Sequence, residues 1–199
     1  MSDPRSLVFD RLAPLWDAEF MSPDDPPRLE QVVHAARLEP GGCVLDLGSG
    51  TGVLIPAILS ARPRLVLAAD LSLGMLSRLR EKHDGRAVTP LACDGSCLPL
   101  ADSICHALFC NGVWPHFQSP ARVAGELYRV AAPGATLIIS HVIGRERLNA
   151  IHASAEDEIL RGDHLPPAGE VASVLEGAGW RVTGSQDTDE RFLITAAKD

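Results

Sequence analysis

Val44-Leu45-Asp46-Leu47-Gly48-Ser49-Gly50-Thr51-Gly52 decides how the rest of this chain is read. An apolar strand carrying one acidic residue runs into three glycines within five positions, and a helix-compatible run from Val53 to Ala61 follows at once. Glycines crowded between a strand and a helix let backbone N–H groups approach a ligand closely at the helix N-terminus. A dinucleotide-binding turn would put its third glycine where Val53 stands, so the spacing argues against NAD and for another adenosyl ligand. No Lys or Arg occurs in the bend or just after it, unlike a phosphate-binding P-loop.

Working outward, short β-runs alternate with helical segments from Gly42 onward, the pattern of a parallel sheet with crossover helices. Strands are expected at 43–47, 64–69, 86–91, 104–110, 135–142, 180–185 and 191–197, and helices near 27–38, 52–61, 73–83, 119–131, 145–161 and 168–178. Ser119-Pro120 opens one helix and Pro133-Gly134 is expected to stop it. Ser72 can cap the helix that carries Met75, Leu76 and Leu79. Pro166-Pro167 opens the last helix, which Gly177 and Gly179 close. The stretch from Ser185 to Glu190 is too short for a crossover helix, so the final run should pair antiparallel. The segment Met21 to Pro27 reads as a hinge, dividing a helical cap at 1–26 from a sheet domain at 27–199.

At 199 residues the chain suffices for one domain with a substantial core. It holds 26 acidic against 18 basic residues, a formal net charge of −8, and no cluster of Lys and Arg. A face that neutralises phosphates needs such a cluster, so nucleic acid and anionic membrane surfaces are disfavoured as partners. No apolar run has the length of a membrane span, and Met1 to Asp10 lacks a signal-peptide layout, which points to the cytoplasm. Cys43, Cys105 and Cys110 lie in apolar runs as inert thiols, with no C-x-x-C pair anywhere. Cys93 and Cys97 flank a loop near the expected site, where Cys97 is the one candidate for reactivity.

The order hydrophobic-hydrophobic-Asp-hydrophobic-Gly-x-Gly-x-Gly at 44–52 resembles the first motif of class I S-adenosylmethionine-dependent methyltransferases. Further resemblances follow in the right order. Asp70 closes Leu67-Ala68-Ala69-Asp70; Asp94-Gly95 and Cys97-Leu98-Pro99-Leu100 follow the third strand; Asn111-Gly112 ends the fourth. Glu126-Leu127-Tyr128-Arg129-Val130-Ala131-Ala132-Pro133-Gly134 is similar to the family's Glu-hydrophobic-x-Arg-Val-Leu-Lys-Pro-Gly-Gly, and Ala178-Gly179-Trp180 to a late Ala-Gly-Phe. Phe9-Asp10-Arg11-Leu12-Ala13-Pro14-Leu15-Trp16-Asp17 is similar to the cap of the ubiquinone/menaquinone-type enzymes in the type 11 group. The fold implied is α/β and Rossmann-like: a mostly parallel seven-stranded sheet, helices on both faces and a C-terminal antiparallel strand.

The resemblance implies S-adenosylmethionine as cofactor and S-adenosylhomocysteine as product. Asp46, Gly48, Ser49, Gly50 and Gly52 would approach its amino-acid end. Asp70, with Leu71 beside it, would take the ribose hydroxyls, which a two-oxygen carboxylate suits. Asp94 and Gly95 would border the adenine, and Asn111 the transferred methyl. The sulfonium carries positive charge and no phosphate, which suits an acidic and neutral pocket.

Methyl transfer from a sulfonium can rest largely on holding donor and acceptor about 3 Å apart, so a base is optional. His116 in Trp114-Pro115-His116-Phe117 and His141 at the end of the fifth strand are the candidate general bases. Trp114 with a polar set of Arg145, Asn149 and His152 makes a candidate substrate side, the alternative for His152 being a satisfied core histidine. Metal ligation by His141, His152 and His164 matches no established zinc spacing. The function expected is methylation of a small molecule at an O, N, S or C atom. Its rivals are another reaction on the same scaffold and a catalytically silent module.

Overall fold

The central strands read as unbroken apolar runs because helices cover the sheet on both faces. In the computed structural model, which describes residues 3–22, 24–83, 85 and 87–199, five strands run parallel: β1 (Cys43–Leu47), β2 (Leu65–Asp70), β3 (Val88–Ala92), β4 (Cys105–Asn111) and β5 (Ala131–His141). With β6 (Arg181–Asp187) and β7 (Phe192–Ala197) they form one sheet in the order β3-β2-β1-β4-β5-β7-β6. β7 lies antiparallel to both of its neighbours, as the short connection before it requires.

The helices are α1 (Pro4–Leu12), α2 (Trp16–Phe20), α3 (Asp25–Ala35), α4 (Ile55–Ser60), α5 (Leu73–His83), α6 (Pro120–Val130), α7 (Arg145–Ala153), α8 (Glu158–Gly162) and α9 (Ala168–Gly177). Residues of β1 alternate between the two cores. Cys43, Leu45 and Leu47 pack in a cluster with Leu127 and Val130 of α6 and Val171 and Leu175 of α9. Val44 joins Leu29 and Val33 of α3, Ile55 and Ile58 of α4, and Leu76 and Leu79 of α5. The period of two along each strand therefore feeds both layers, and a one-residue slip would exchange them.

Several boundaries differ from expectation for local reasons. The long helix expected at 145–161 is two helices. Asp157 accepts the Ile159 N–H at 3.0 Å and starts α8, while the Ser154 hydroxyl bonds back to the Ile151 carbonyl at the end of α7. Pro133-Gly134 does not stop α6. The helix ends at Val130, and the pair sits in a strong bulge of β5 between the Cys105–Ala131 and Ala107–Thr136 pairings. Lys198 secures that junction, its ammonium donating to the carbonyls of Tyr128 and Ala131 at 2.8 Å each. The glycine bend runs on as turns to Leu54, so α4 starts three residues past Gly52. Arg86, the expected first residue of the third strand, and Pro23 in the expected hinge lie outside the described residues.

Asp10 ties the N-terminal helix to the sheet domain. Its Oδ1 accepts the Ser72 hydroxyl at 2.6 Å and the Gly74 amide at 2.7 Å, and the Ser72 hydroxyl in turn accepts the Met75 amide at 3.0 Å. One carboxylate from α1 thereby completes the N-terminal cap of α5. Contact is close enough that a Cβ at Gly74 would lie 3.0 Å from the Asp10 Cα. Gly→Ala inside a helix normally stabilises by about 1 kcal/mol. Gly74→Ala should instead lower the urea midpoint and make residues 3–22 sensitive to limited proteolysis; a more stable, equally resistant variant would contradict the docking.

Candidate active site

Parallel strands that end together leave a crevice at their carboxyl edge. Here Leu47 of β1 pairs with Ala69 of β2, next to Asp70, and Asn111 of β4 pairs with Ser140, next to His141 of β5. The bend after β1 turns on that edge with φ of +73° at Gly48, +53° at Gly50 and +84° at Gly52, a region costly for residues with a Cβ. The amides of Gly48 and Ser49 both donate to the Ala69 carbonyl, at 2.8 and 3.0 Å. A Cβ at Gly48 would lie 2.4 Å from Val113, whereas one at Gly50 or Gly112 would meet nothing within 4 Å. The bend is thus packed at its root and open at its tip.

Two carboxylates stand at this bend, and among the described residues neither takes part in a salt bridge. Asp70 accepts the Gly50 amide at 2.8 Å on one oxygen and the Ser72 amide at 2.8 Å on the other. Burial raises its pKa even though the amides of Ser72, Gly50 and Leu71 pull the other way. Asp46 is 1% exposed and its Oδ2 has no hydrogen-bond partner. Burial first, and then the neighbouring Asp70, push its carboxyl up to about 7. The Ser49 hydroxyl is likewise buried and unpartnered. Buried polar atoms are nearly always satisfied, so these two are the atoms at the bend that a ligand's polar groups could meet.

Around the bend, Asp94 is exposed and forms its own turn through the Ser96 amide at 2.8 Å. Gly95 lies over Leu47 and Phe117, where a Cβ would come within 3.1 and 3.4 Å. Asn111 receives the Ser140 hydroxyl at 2.9 Å. Cavities of about 210 Å³ between α5 and β3 and 230 Å³ between α3 and α4 share no lining residue with the bend. The carboxyl edge is instead covered by α1 and α2. Asp17 of α2 accepts the Thr51 hydroxyl at 2.6 Å and pairs with Lys82 of α5. Against the upward push of partial burial, those two partners hold its carboxyl below the usual range.

On the other side of Asn111 the chain gathers three imidazoles. His116 and His152 lie 5.2 Å apart by ring centroid, and both act electrostatically on His141. Burial, then His116 and His152, bring His141 down to about 3, so it is neutral and a poor base near pH 7; its Nε2 is buried without a partner. Burial, then His116, lowers His152 too, and its Nδ1 lies 3.1 Å from the Asp163 carbonyl. His116 Nδ1 lies 2.6 Å from Asp163 Oδ2, and the Phe9 ring packs against the imidazole at 5.1 Å. Asp163 and its second partner Arg5 carry no spacing signal in the sequence and were not among the expected residues.

The rest of the expected substrate side disperses. Arg145 pairs with Asp187 of β6 at 2.9 Å, and Asn149 exchanges hydrogen bonds with the Leu165 backbone at 3.0 and 2.8 Å. Both therefore fasten structure around α7, leaving only His152 of that set beside the imidazoles. Trp114, 2% exposed, packs edge-on against Phe117 as core. His164 is exposed, and among the described residues no three His, Cys, Asp or Glu are arranged to hold a metal ion.

Residues 45–139 match the family model described as a methyltransferase domain. The chain is 37% identical over 115 residues to a malonyl-[acyl-carrier protein] O-methyltransferase of Marinomonas sp., covering 56% of this chain and 42% of that one. It is 30% identical over 141 residues to a demethylmenaquinone methyltransferase of Renibacterium salmoninarum, covering 69% and 58%. The chain spans about half the length of the curated relatives it matches. An S-adenosylmethionine-dependent methyltransferase from Aquifex aeolicus superposes with a TM-score of 0.73 at 24% identity, over 98% of both chains. With the glycine bend, the strand order and these matches in agreement, the chain belongs to the class I S-adenosylmethionine-dependent methyltransferases.

Proposed function

We propose that this protein transfers a methyl group from S-adenosylmethionine to a small-molecule acceptor, with residues 1–26 as a cap over a cofactor-binding domain at 27–199. One observation carries the cofactor half: Asp46 Oδ2 and Ser49 Oγ are buried without partners beside a second carboxylate, and among the described residues neither carboxylate has an ion-pair partner. A ligand with an ammonium and a sulfonium brings both the missing donors and the missing positive charge. Asp46 and Ser49 would hold its amino-acid end, while Gly48, Gly50 and Gly52 let it reach the backbone. Asp70, flanked by Leu71, would exchange the Gly50 amide for ribose hydroxyls. Asp94 and Gly95 would border the adenine, and Asn111 the reacting methyl.

When bound, the cofactor supplies a methyl already activated for displacement. The protein's own work is then to fix the acceptor in line, keep water out beneath α1 and α2, and receive a proton where the acceptor has one to lose. His116 suits that last role better than His141, whose basicity burial removes. An acceptor side enclosed by Phe9, His116 and His152 favours a compact molecule over a polymer, as does a net charge of −8 for nucleic acid. One relative is named a demethylmenaquinone methyltransferase, after a small molecule rather than a polymer. The free cysteines fit a reducing cytoplasm.

Asp46 gives the cofactor reading a pH signature. It is neutral well below pH 7 and ionises as pH rises through about 7. The affinity for S-adenosylmethionine in calorimetry should therefore climb by up to about tenfold per pH unit between pH 5 and 7, then level off. Asp46→Asn should flatten that profile; a flat wild-type profile would contradict it.

The same raised pKa, about 7 against 3.8 for an ordinary aspartic acid, works against the unliganded fold. Its cost is absent below pH 4 and grows to at most about 4 kcal/mol above pH 7. Asp46→Asn should therefore raise the Tm at pH 8 but not at pH 4.

Asp70→Ala should weaken binding of S-adenosylmethionine and S-adenosylhomocysteine alike, by about 10- to 100-fold for lost charged hydrogen bonds. Unchanged binding of both would defeat the assignment. Release of S-adenosylhomocysteine across a panel of small phenols, quinols, amines and thiols tests the acceptor class, and release with none of them would count against it.

A further inference from the structure

We propose that Asp163 and Arg5 are positioning residues that make His116 Nε2 the proton acceptor of the site, so that the base is complete only while α1 is docked. This deepens the methyl-transfer reading and rests on it. Asp163 lies in the loop after α8, and its side chain is 2% exposed. Its two oxygens serve different partners: Oδ2 meets His116 Nδ1 at 2.6 Å, and Oδ1 takes the Arg5 guanidinium at 2.5 Å. A carboxylate on Nδ1 keeps the proton of the neutral imidazole there and leaves the Nε2 lone pair free. Phe9, from the same helix as Arg5, and His152 hold the ring from two further directions, at centroid distances of 5.1 and 5.2 Å.

Arg5 decides what kind of pair this is. A buried carboxylate alone at 2.6 Å would favour the imidazolium and leave a proton already in place. With the guanidinium on its other oxygen, Asp163 shares its charge between two donors and is held facing Nδ1. The remaining groups near His116 do not compensate: His141 of β5 and His152 of α7 are held neutral by burial, and Asp70 acts from across the crevice. During transfer the acceptor heteroatom bonds the methyl carbon, and the carbon–sulfur electron pair returns to sulfur. The acceptor's proton passes to Nε2 and then to solvent. Arg5 reaches Asp163 from α1, which Asp10 fastens to α5, so undocking that helix removes Arg5 and Phe9 from the base together.

Nitrogen-15 NMR of the imidazoles in the full chain, titrated with pH with and without saturating S-adenosylhomocysteine, tests this directly. In the wild type the neutral form of His116 should carry its proton on Nδ1. Asp163→Asn should move that proton substantially to Nε2, and Asp163→Glu should restore it in part. Arg5→Gln, which leaves Asp163 Oδ1 unheld, should let part of that proton move to Nε2, though less than in Asp163→Asn. Arg11→Gln, which breaks only the neighbouring 2.7 Å ion pair of α1 with Asp157, should leave it unmoved. A wild-type proton on Nε2, or an identical division of the proton between the two nitrogens in wild type and Arg5→Gln, would overturn the proposal, the latter even if Asp163→Asn fails to fold. Calorimetry with S-adenosylhomocysteine separates the two readings, because loss of ligand binding with the His116 responses intact would sink only the cofactor.

Discussion

The bend that follows β1 is the constraint on which the rest depends. Gly48 must turn with positive φ while pressed against Val113, and its amide and that of Ser49 are pinned to the Ala69 carbonyl. That geometry aims the Gly50 amide at Asp70 and leaves Asp46 at the inner end of the bend with one oxygen unserved. Filling the site with apolar residues would give a more stable strand end. Among the described residues neither carboxylate has an ion-pair partner, which is what the proposed positively charged ligand would supply. On that reading, stability is forgone where binding is gained.

The N-terminal helices extend that logic across the molecule. Asp17 joins the bend to α5 through Thr51 and Lys82, Asp10 caps α5, and Arg5 meets Asp163 beside His116. Three charged residues in a span of thirteen positions thus touch the glycine bend, the start of α5 and the surroundings of His116. Each contact is polar and partly exposed, and such contacts open more readily than a packed core. In the proposed function, contacts of this kind would let the N-terminal helices close over bound cofactor and still admit and release ligands.

Much of this was legible in the sequence where one local pattern has one physical solution. Three glycines after an apolar strand fix the bend, alternating β and α runs fix the parallel sheet, and the short polar link read at 185–190, which narrows to 188–191 because β6 runs on to Asp187, fixes the antiparallel β7. Legibility failed where the partner lies far along the chain. The bulge at Pro133-Gly134 depends on Cys105 and Lys198, so a helix stop was the natural reading of an ambiguous pair. Arg145 and Asn149 have the chemistry of a binding patch, yet Asp187 and the Leu165 backbone claim them. Asp163 is 47 residues from His116, and nothing in Gly162-Asp163-His164-Leu165 announces that it would meet that ring.

Carbon-13 NMR of the Asp46 carboxyl, titrated in the free chain and again with saturating S-adenosylhomocysteine, tests the central claim most directly. An uncompensated buried acid should titrate near pH 7 when free and fall by two or more pH units once the ligand's ammonium faces it. A carboxyl that titrates near 4 in the free chain, or one that ligand saturation leaves where it was, would contradict the account.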